Sequence, residues 1–327
     1  MIVREQSTVF QSPLREWMTR FIQEKRRLGH RYDTECNVLH RLDRSLCGWG
    51  LDGEQLPREF VERFTAASSY ETPGSQGVRV RLARQFAKYL KRSGIDAYVL
   101  PERMGPVRVS HQVAYVFSHQ QIAAMLSAVD HLEPEGHAPL RHFIMPEVFR
   151  LLYSSGMRIS EVLELRVADV DLDLGILTVR DAKFRTDRLV PVGATMKERL
   201  KKYASLVGQR GPDSMFFPAP DGGPYSVSTA YGVFRILLRL SGIPHGGRGR
   251  GPRLHDLRHT FAVHRLARWY RQGADLTAKL PYLSAYMGHR SLAGTQRYLR
   301  LTPEIFPDVV NSVEAFAGSA IPRRPAP

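Results

Sequence analysis

Residues 255–259 read His255-Asp256-Leu257-Arg258-His259; Gly288-His289 follows downstream, and Tyr298 comes nine residues after that histidine. His255 and Arg258 are three residues apart, so on a helix they share one face and can reach the same point. Gly288 has no side chain, which lets the backbone beside His289 turn sharply. Upstream lies Gly156-Met157-Arg158-Ile159-Ser160-Glu161. Gly156 and Ser160 bracket Arg158 at a turn entering a helix over 159–165. Ser160 is the expected cap, and Glu161 stands where the helix dipole favours an acid. The two clusters together supply two arginines, two histidines and a tyrosine.

The chain around them has 327 residues, enough for two domains that each bury a core. Its 43% apolar and 24% charged residues are those of an ordinary globular protein. The charge balance is not ordinary: 47 Lys and Arg against 32 Asp and Glu give +15 and a pI near 10.1. A polyanionic partner is the first expectation, although a ribosome-associated or membrane-surface protein would share this balance. No apolar run has the length of a signal peptide or the roughly 18 residues of a membrane span, so a cytoplasmic protein without a membrane partner is expected. Cys36 and Cys47 lack the number and spacing of a disulfide framework or zinc site, and read as reduced packing residues.

Helical periodicity runs through 14–28, 34–48, 56–67 and 76–93. The last segment carries Arg79, Arg81, Arg84 and Lys88 around an apolar stripe. Such a face is either simply solvated or tracks phosphates. Residues 99–117 hold Pro101, Gly105 and Pro106 with little periodicity and read as a linker. Ser118 with Gln121 then forms a capping-box pattern that opens a second domain over 118–318. In it, helices near 144–154 and 160–166 precede two strands, Ile176–Val179 and Arg188–Val192, and helices dominate again from 194. The segment Gly246-Gly247-Arg248-Gly249-Arg250-Gly251 reads equally as a loop lying along a DNA backbone or as a plain connection. The proline-rich end, 319–327, is expected to be disordered.

In this order the residues resemble the tyrosine recombinases, a family that includes phage integrases and chromosome-dimer resolvases. The resemblance implies a mainly α fold with a small β-sheet (α+β). An N-terminal helical core-binding domain over 1–98 and a catalytic domain over 118–318 would form a C-shaped clamp on double-stranded DNA. It implies cleavage and rejoining of DNA strands through a 3′-phosphotyrosine, without metal, ATP or cofactor, in integration, excision, resolution or transposition. A homo-tetramer on two DNA sites would act, with other recombinases or accessory proteins as further partners. Carried over residue by residue, Tyr298 is the nucleophile and Arg158 and Arg258 bind the scissile phosphate. His255 is the candidate proton acceptor, His289 a hydrogen-bond donor to the phosphate, and Glu161 supports the pocket. Lys183, between the two strands, matches the hairpin lysine that protonates the leaving 5′-oxygen, a task arginine cannot perform. His255 and His289 lie 34 residues apart, about two helical turns more than is usual in the family.

The sequence admits two other readings. A non-catalytic DNA-binding accessory protein on the same scaffold would need neither Tyr298 nor Lys183. A metal-dependent nuclease would use His255, His259 and His264; the first two have the i, i+4 spacing of zinc ligands, but Arg258 would repel the ion.

Overall fold

The structure is a computed structural model and describes residues 10–30, 32–51, 53–105, 114–180, 187–208, 210–247, 251–289, 291–296 and 298–299. The chain divides into two compact units, Met1–His111 and Gln112–Pro327. Both are mainly helical with small sheets. No described helix is long and apolar enough to cross a membrane.

The first unit contains α1 (Arg15–Arg27), α2 (Asp33–Cys47), β1 (Gln55–Leu56), α3 (Arg58–Thr65), α4 (Pro73–Arg92) and β2 (Asp96–Ala97). The two short strands pair in parallel. Helix α4 begins as its sequence dictates: Thr72 accepts a hydrogen bond from the Ser75 amide, and Pro73 occupies a first-turn position where no backbone donor is needed. The apolar stripes meet in one core, where Phe21 packs against Tyr32, Phe86 and Tyr89. Ahead of α1, the Asp43 carboxylate from α2 accepts from the amides of Gln11 and Ser12, each at 2.9 Å.

The second unit contains α5 (His119–Asp130), α6 (Arg141–Ser155), α7 (Ile159–Leu163), β3 (Val170–Asp171), β4 (Ile176–Val179), β5 (Arg188–Pro191), α8 (Ala194–Val207), α9 (Val227–Leu240), α10 (Asp256–Arg271), α11 (Leu276–Met287) and α12 (Ala293–Gln296). The strands form one antiparallel sheet, ordered β3-β4-β5, with Leu177 opposite Val190. Both of those side chains are buried in the core built around α5, α6, α8 and α9. A smaller cluster joins Phe261, Val263 and Leu266 of α10 to Leu280, Leu283 and Met287 of α11 and includes Tyr298.

The capping box opening α5 is formed as the sequence predicts, Ser118 and Gln121 each bonding the other's backbone. The linker reading is corrected at its C-terminal end. The Phe117 amide donates to the Thr260 hydroxyl at 3.0 Å and its ring is fully buried, so residues just before α5 belong to the second unit. The third strand, β3, was not anticipated; two residues are too few for an alternating pattern.

Asp43 is buried with two backbone donors, so removing its carboxylate strands both amides. Asp43→Ala is expected to lower stability by about 1–3 kcal/mol. Thr19→Ala, which removes an exposed local bond, should change it by less than about 0.5 kcal/mol. Urea unfolding of the two variants checks the contrast.

Candidate active site

Residues 256–264 of α10 form an unbroken buried run, although Asp256, Arg258, His259, Thr260 and His264 are polar. Polar groups removed from water need partners, so this helix must be met by donors and acceptors. Asp256 accepts from the Arg253 amide at 2.8 Å and from Arg253 Nη2 at 2.9 Å. The Thr260 hydroxyl donates to the Asp256 carbonyl at 2.8 Å. His264 meets the Tyr153 hydroxyl at 3.0 Å and stacks on His119.

Arg258 is 2% exposed and donates to the carbonyls of Gly156 and Met287, both at 2.6 Å. Both lie at helix C-terminal ends, of α6 and α11, where carbonyls lack helical donors and the dipole is negative. The end of α11 serves two more arginines. Arg188 donates to the Tyr286 carbonyl at 3.2 Å and Arg158 to the Gly288 carbonyl at 3.1 Å. Three consecutive carbonyls therefore each receive a guanidinium. Burial, then the neighbouring Arg158 charge, pushes the Arg258 pKa down to about 10, which leaves it charged at neutral pH.

Glu161 ties the other two arginines together. Its carboxylate accepts from Arg158 at 2.6 Å and from Arg188 at 2.6 and 3.1 Å, and from the Arg158 amide at 2.8 Å. This last bond corrects the expected helix start: Arg158, not Ser160, occupies the N-cap of α7, with Glu161 closing its first turn. Burial raises the Glu161 pKa, but the two arginines outweigh it and hold the carboxyl below its ordinary range. Three guanidiniums around one carboxylate leave net positive charge, suited to an oxyanion.

Glycine is required at two places here. Gly156 has φ +62° and a Cβ on it would lie 2.3 Å from the Phe261 ring; Gly288 has φ +65° and its Cβ would meet the Arg188 guanidinium at 2.9 Å. Beyond Gly288, His289 Nδ1 lies 2.7 Å from the Thr295 hydroxyl, and its ring stacks 5.9 Å from that of Tyr298. Tyr298 is 1% exposed, with its hydroxyl 3.1 Å from His259 Nδ1. His255 is exposed at the N-cap of α10, its ring edge-on to that of His259 at 4.7 Å.

The structure thus brings together Arg158, Glu161, Arg258, His289 and Tyr298, with His255 beside them. Lys183, Arg248 and Arg250 lie outside the described residues. In the first unit, Arg79 does not face solvent as a phosphate-tracking residue would. It is 5% exposed, paired with Glu71 and bonded to the Ala66 carbonyl. Arg84 is likewise spent on the carbonyls of Leu100, Pro101 and Met104, while Arg81 and Lys88 are exposed. Of the three histidines of the nuclease reading, His255 and His259 are neighbours, whereas His264 faces Tyr153 and His119. Among the described residues no group of three or more His, Cys, Asp or Glu is arranged to hold a metal ion.

Two site residues escaped the sequence reading. Arg188 begins β5 two residues before fully buried Val190, so strand alternation already places an arginine on the inward face. His259 was weighed only as a metal ligand.

The phage integrase family matches this chain over residues 115–304. Integrase/recombinase y4rE of Sinorhizobium fredii (strain NBRC 101917 / NGR234) is 32% identical over 298 residues, covering 89% of this chain and 93% of that protein. Tyrosine recombinase XerD of Ralstonia nicotianae (strain ATCC BAA-1114 / GMI1000) is 31% identical, covering 79% and 80%. Among solved structures, XerH site-specific recombinase bound to palindromic difH substrate shares the fold with a TM-score of 0.62 at 15% identity, covering 85% of this chain and 79% of that one.

Because the folded Glu161 carboxyl is depressed, its contribution to stability is complete above the ordinary carboxylate range and is lost as pH falls through the folded value. Glu161→Gln should therefore be less stable than the native protein at pH 7, with the difference shrinking as pH is lowered past that point. Thermal unfolding midpoints across acidic pH measure it; a difference independent of pH would mean the carboxylate charge is not what matters.

Proposed function

The chain belongs to the phage integrase family, and on that footing we propose that it is a tyrosine-type site-specific recombinase acting on double-stranded DNA. The observation that carries the reading is the tyrosine hydroxyl of Tyr298 held in a buried pocket beside Arg258, with Arg158 bonded to the same helix end. A phosphoryl transfer needs a nucleophile, cations on the non-bridging oxygens and a proton donor for the leaving alkoxide.

In this reading Arg158 and Arg258 bind the scissile phosphate, with His289 as a further donor. Tyr298 Oη bonds to phosphorus, the bond to the 5′-oxygen breaks, and that oxygen takes a proton from Lys183. The product is a 3′-phosphotyrosine and a free 5′-hydroxyl. The phosphotyrosine ester retains the bond energy, so a partner strand's 5′-hydroxyl reverses the steps without ATP. The family resemblance gives the phenolic proton to His255. Glu161 and Arg188 orient Arg158 without touching substrate. Arg81, Lys88, Arg248 and Arg250 contribute contacts to the DNA backbone, weakening binding at high salt. The first unit, before His111, is the core-binding domain, and four copies assemble on two sites.

Tyr298→Phe removes one hydroxyl and should bind DNA but form no covalent adduct on a nicked suicide substrate resolved by denaturing gel. Adduct formation by this variant would end the assignment of Tyr298.

Lys183→Ala should cleave ordinary DNA about 10²–10⁴-fold more slowly. Sulfur at the bridging 5′ position should restore it, since a thiolate leaves without protonation. Equal recovery of native and variant rates would move the proton donor elsewhere.

A further inference from the structure

From the contact between α10 and Tyr298 we infer that His259, not His255, is the catalytic residue that takes the phenolic proton, backed by Asp256. The inference rests on Tyr298 being the nucleophile.

His259 Nδ1 lies 3.1 Å from Tyr298 Oη, within reach for direct transfer. On the far side of the ring, Nε2 lies 3.9 Å from Asp256 Oδ1. A neutral imidazole has one protonated nitrogen, and the carboxylate favours the proton on Nε2, which leaves Nδ1 as the acceptor. Asp256 is itself fixed by Arg253, one helical turn before His259 on the same helix.

His259 is faced by Tyr298, Asp256 and His255, with Arg258, Arg253 and His289 behind them. Tyr298 touches Nδ1 and the His289 ring stacks on the other side of Tyr298. The Arg258 charge interacts with the Tyr298 phenol. Asp256 favours the imidazolium, partly offset by Arg253. The His255 ring packs edge-on at 4.7 Å. Burial of His259 opposes its charging, and the same low dielectric strengthens its attraction to buried Asp256.

The step balances. The Tyr298 O–H bond breaks as Nδ1–H forms, and the phenolate oxygen bonds to phosphorus. The P–O5′ bond breaks and the 5′-oxygen takes its proton from Lys183. On religation the leaving Tyr298 oxygen recovers its proton from His259, and Lys183 recovers the other from the attacking hydroxyl.

Glutamine at 259 can accept a hydrogen bond but cannot take up a proton. In single-turnover cleavage of the suicide substrate by the full chain, His259→Gln should form adduct about 10²–10⁴-fold more slowly near neutral pH. Its rate should climb with pH through the alkaline range. A fluorinated, more acidic tyrosine at 298 should recover most of that loss. His255→Gln should lose less, with no such recovery. If His259→Gln fails to bind DNA or unfolds, His259→Asn is measured instead, because its amide reaches toward the position of Nδ1. A native rate and pH profile overturns the proposal. So does faster cleavage, which would make His259 a latch on a resting tyrosine, or a slower rate unresponsive to pH and fluorination, which would make it packing alone. Tyr298→Phe is run alongside: adduct there removes the nucleophile reading itself, whereas its absence together with an unaffected His259→Gln removes only this inference.

Discussion

Arg258 enters the protein interior in the first turn of α10, where water cannot meet its charge, and the elements around it in the second unit answer that cost. A carboxylate partner would satisfy the guanidinium but cancel it. Here the guanidinium donates to neutral carbonyls at the ends of α6 and α11. Those carbonyls would otherwise be orphaned at helix termini, so each bond settles two unsatisfied groups at once. It also draws the Gly156 turn, which carries Arg158, and the Gly288 turn, which carries His289, onto α10. The closest contacts leave no room for side chains on either glycine.

The end of α11 extends the same solution to Arg158 and Arg188. With one carboxylate, Glu161, shared between those two, charge repulsion among three guanidiniums is moderated but not removed. The positive charge that remains suits an anion. Pre-arranged cations of this kind need no reorganisation when phosphate charge develops. Glu161 therefore acts by setting geometry and dosage of charge, which is why its carboxylate must be ionised for the cluster to hold.

Much of this was legible in the sequence because local rules suffice for it. The capping box at Ser118, the proline start of α4 and the alternation of β4 and β5 follow from residues within a turn of each other. The order of Arg158, Arg258, His289 and Tyr298 carried the family resemblance but no distances. What was not legible depends on burial and long-range pairing. Arg79 and Arg84 read as a basic face, yet one is consumed by Glu71 and the other by a loop's carbonyls; sequence counts charges but not their partners. Arg188 carries an alternation signal, but Glu161 lies 27 residues away in sequence and only the folded sheet brings them together. His259 entered the sequence reading only through the disfavoured metal-nuclease alternative, and the fold turns it toward Tyr298.

Arg258 and His259 are adjacent, and successive helix positions point about 100° apart. One turn of α10 thus aims a cation at the helix ends of α6 and α11 and an imidazole at Tyr298. Both rise from the same buried turn, and Thr260 ties that turn to the segment entering α5 through the Phe117 amide. A phenol is a weak nucleophile until its proton leaves, and its anion is costly in a buried site without nearby cations. On the inference that His259 accepts the phenolic proton, acceptor and cation stand on one turn, and the two requirements become a single geometric condition. The pocket's burial, which would otherwise oppose the chemistry, then strengthens both interactions.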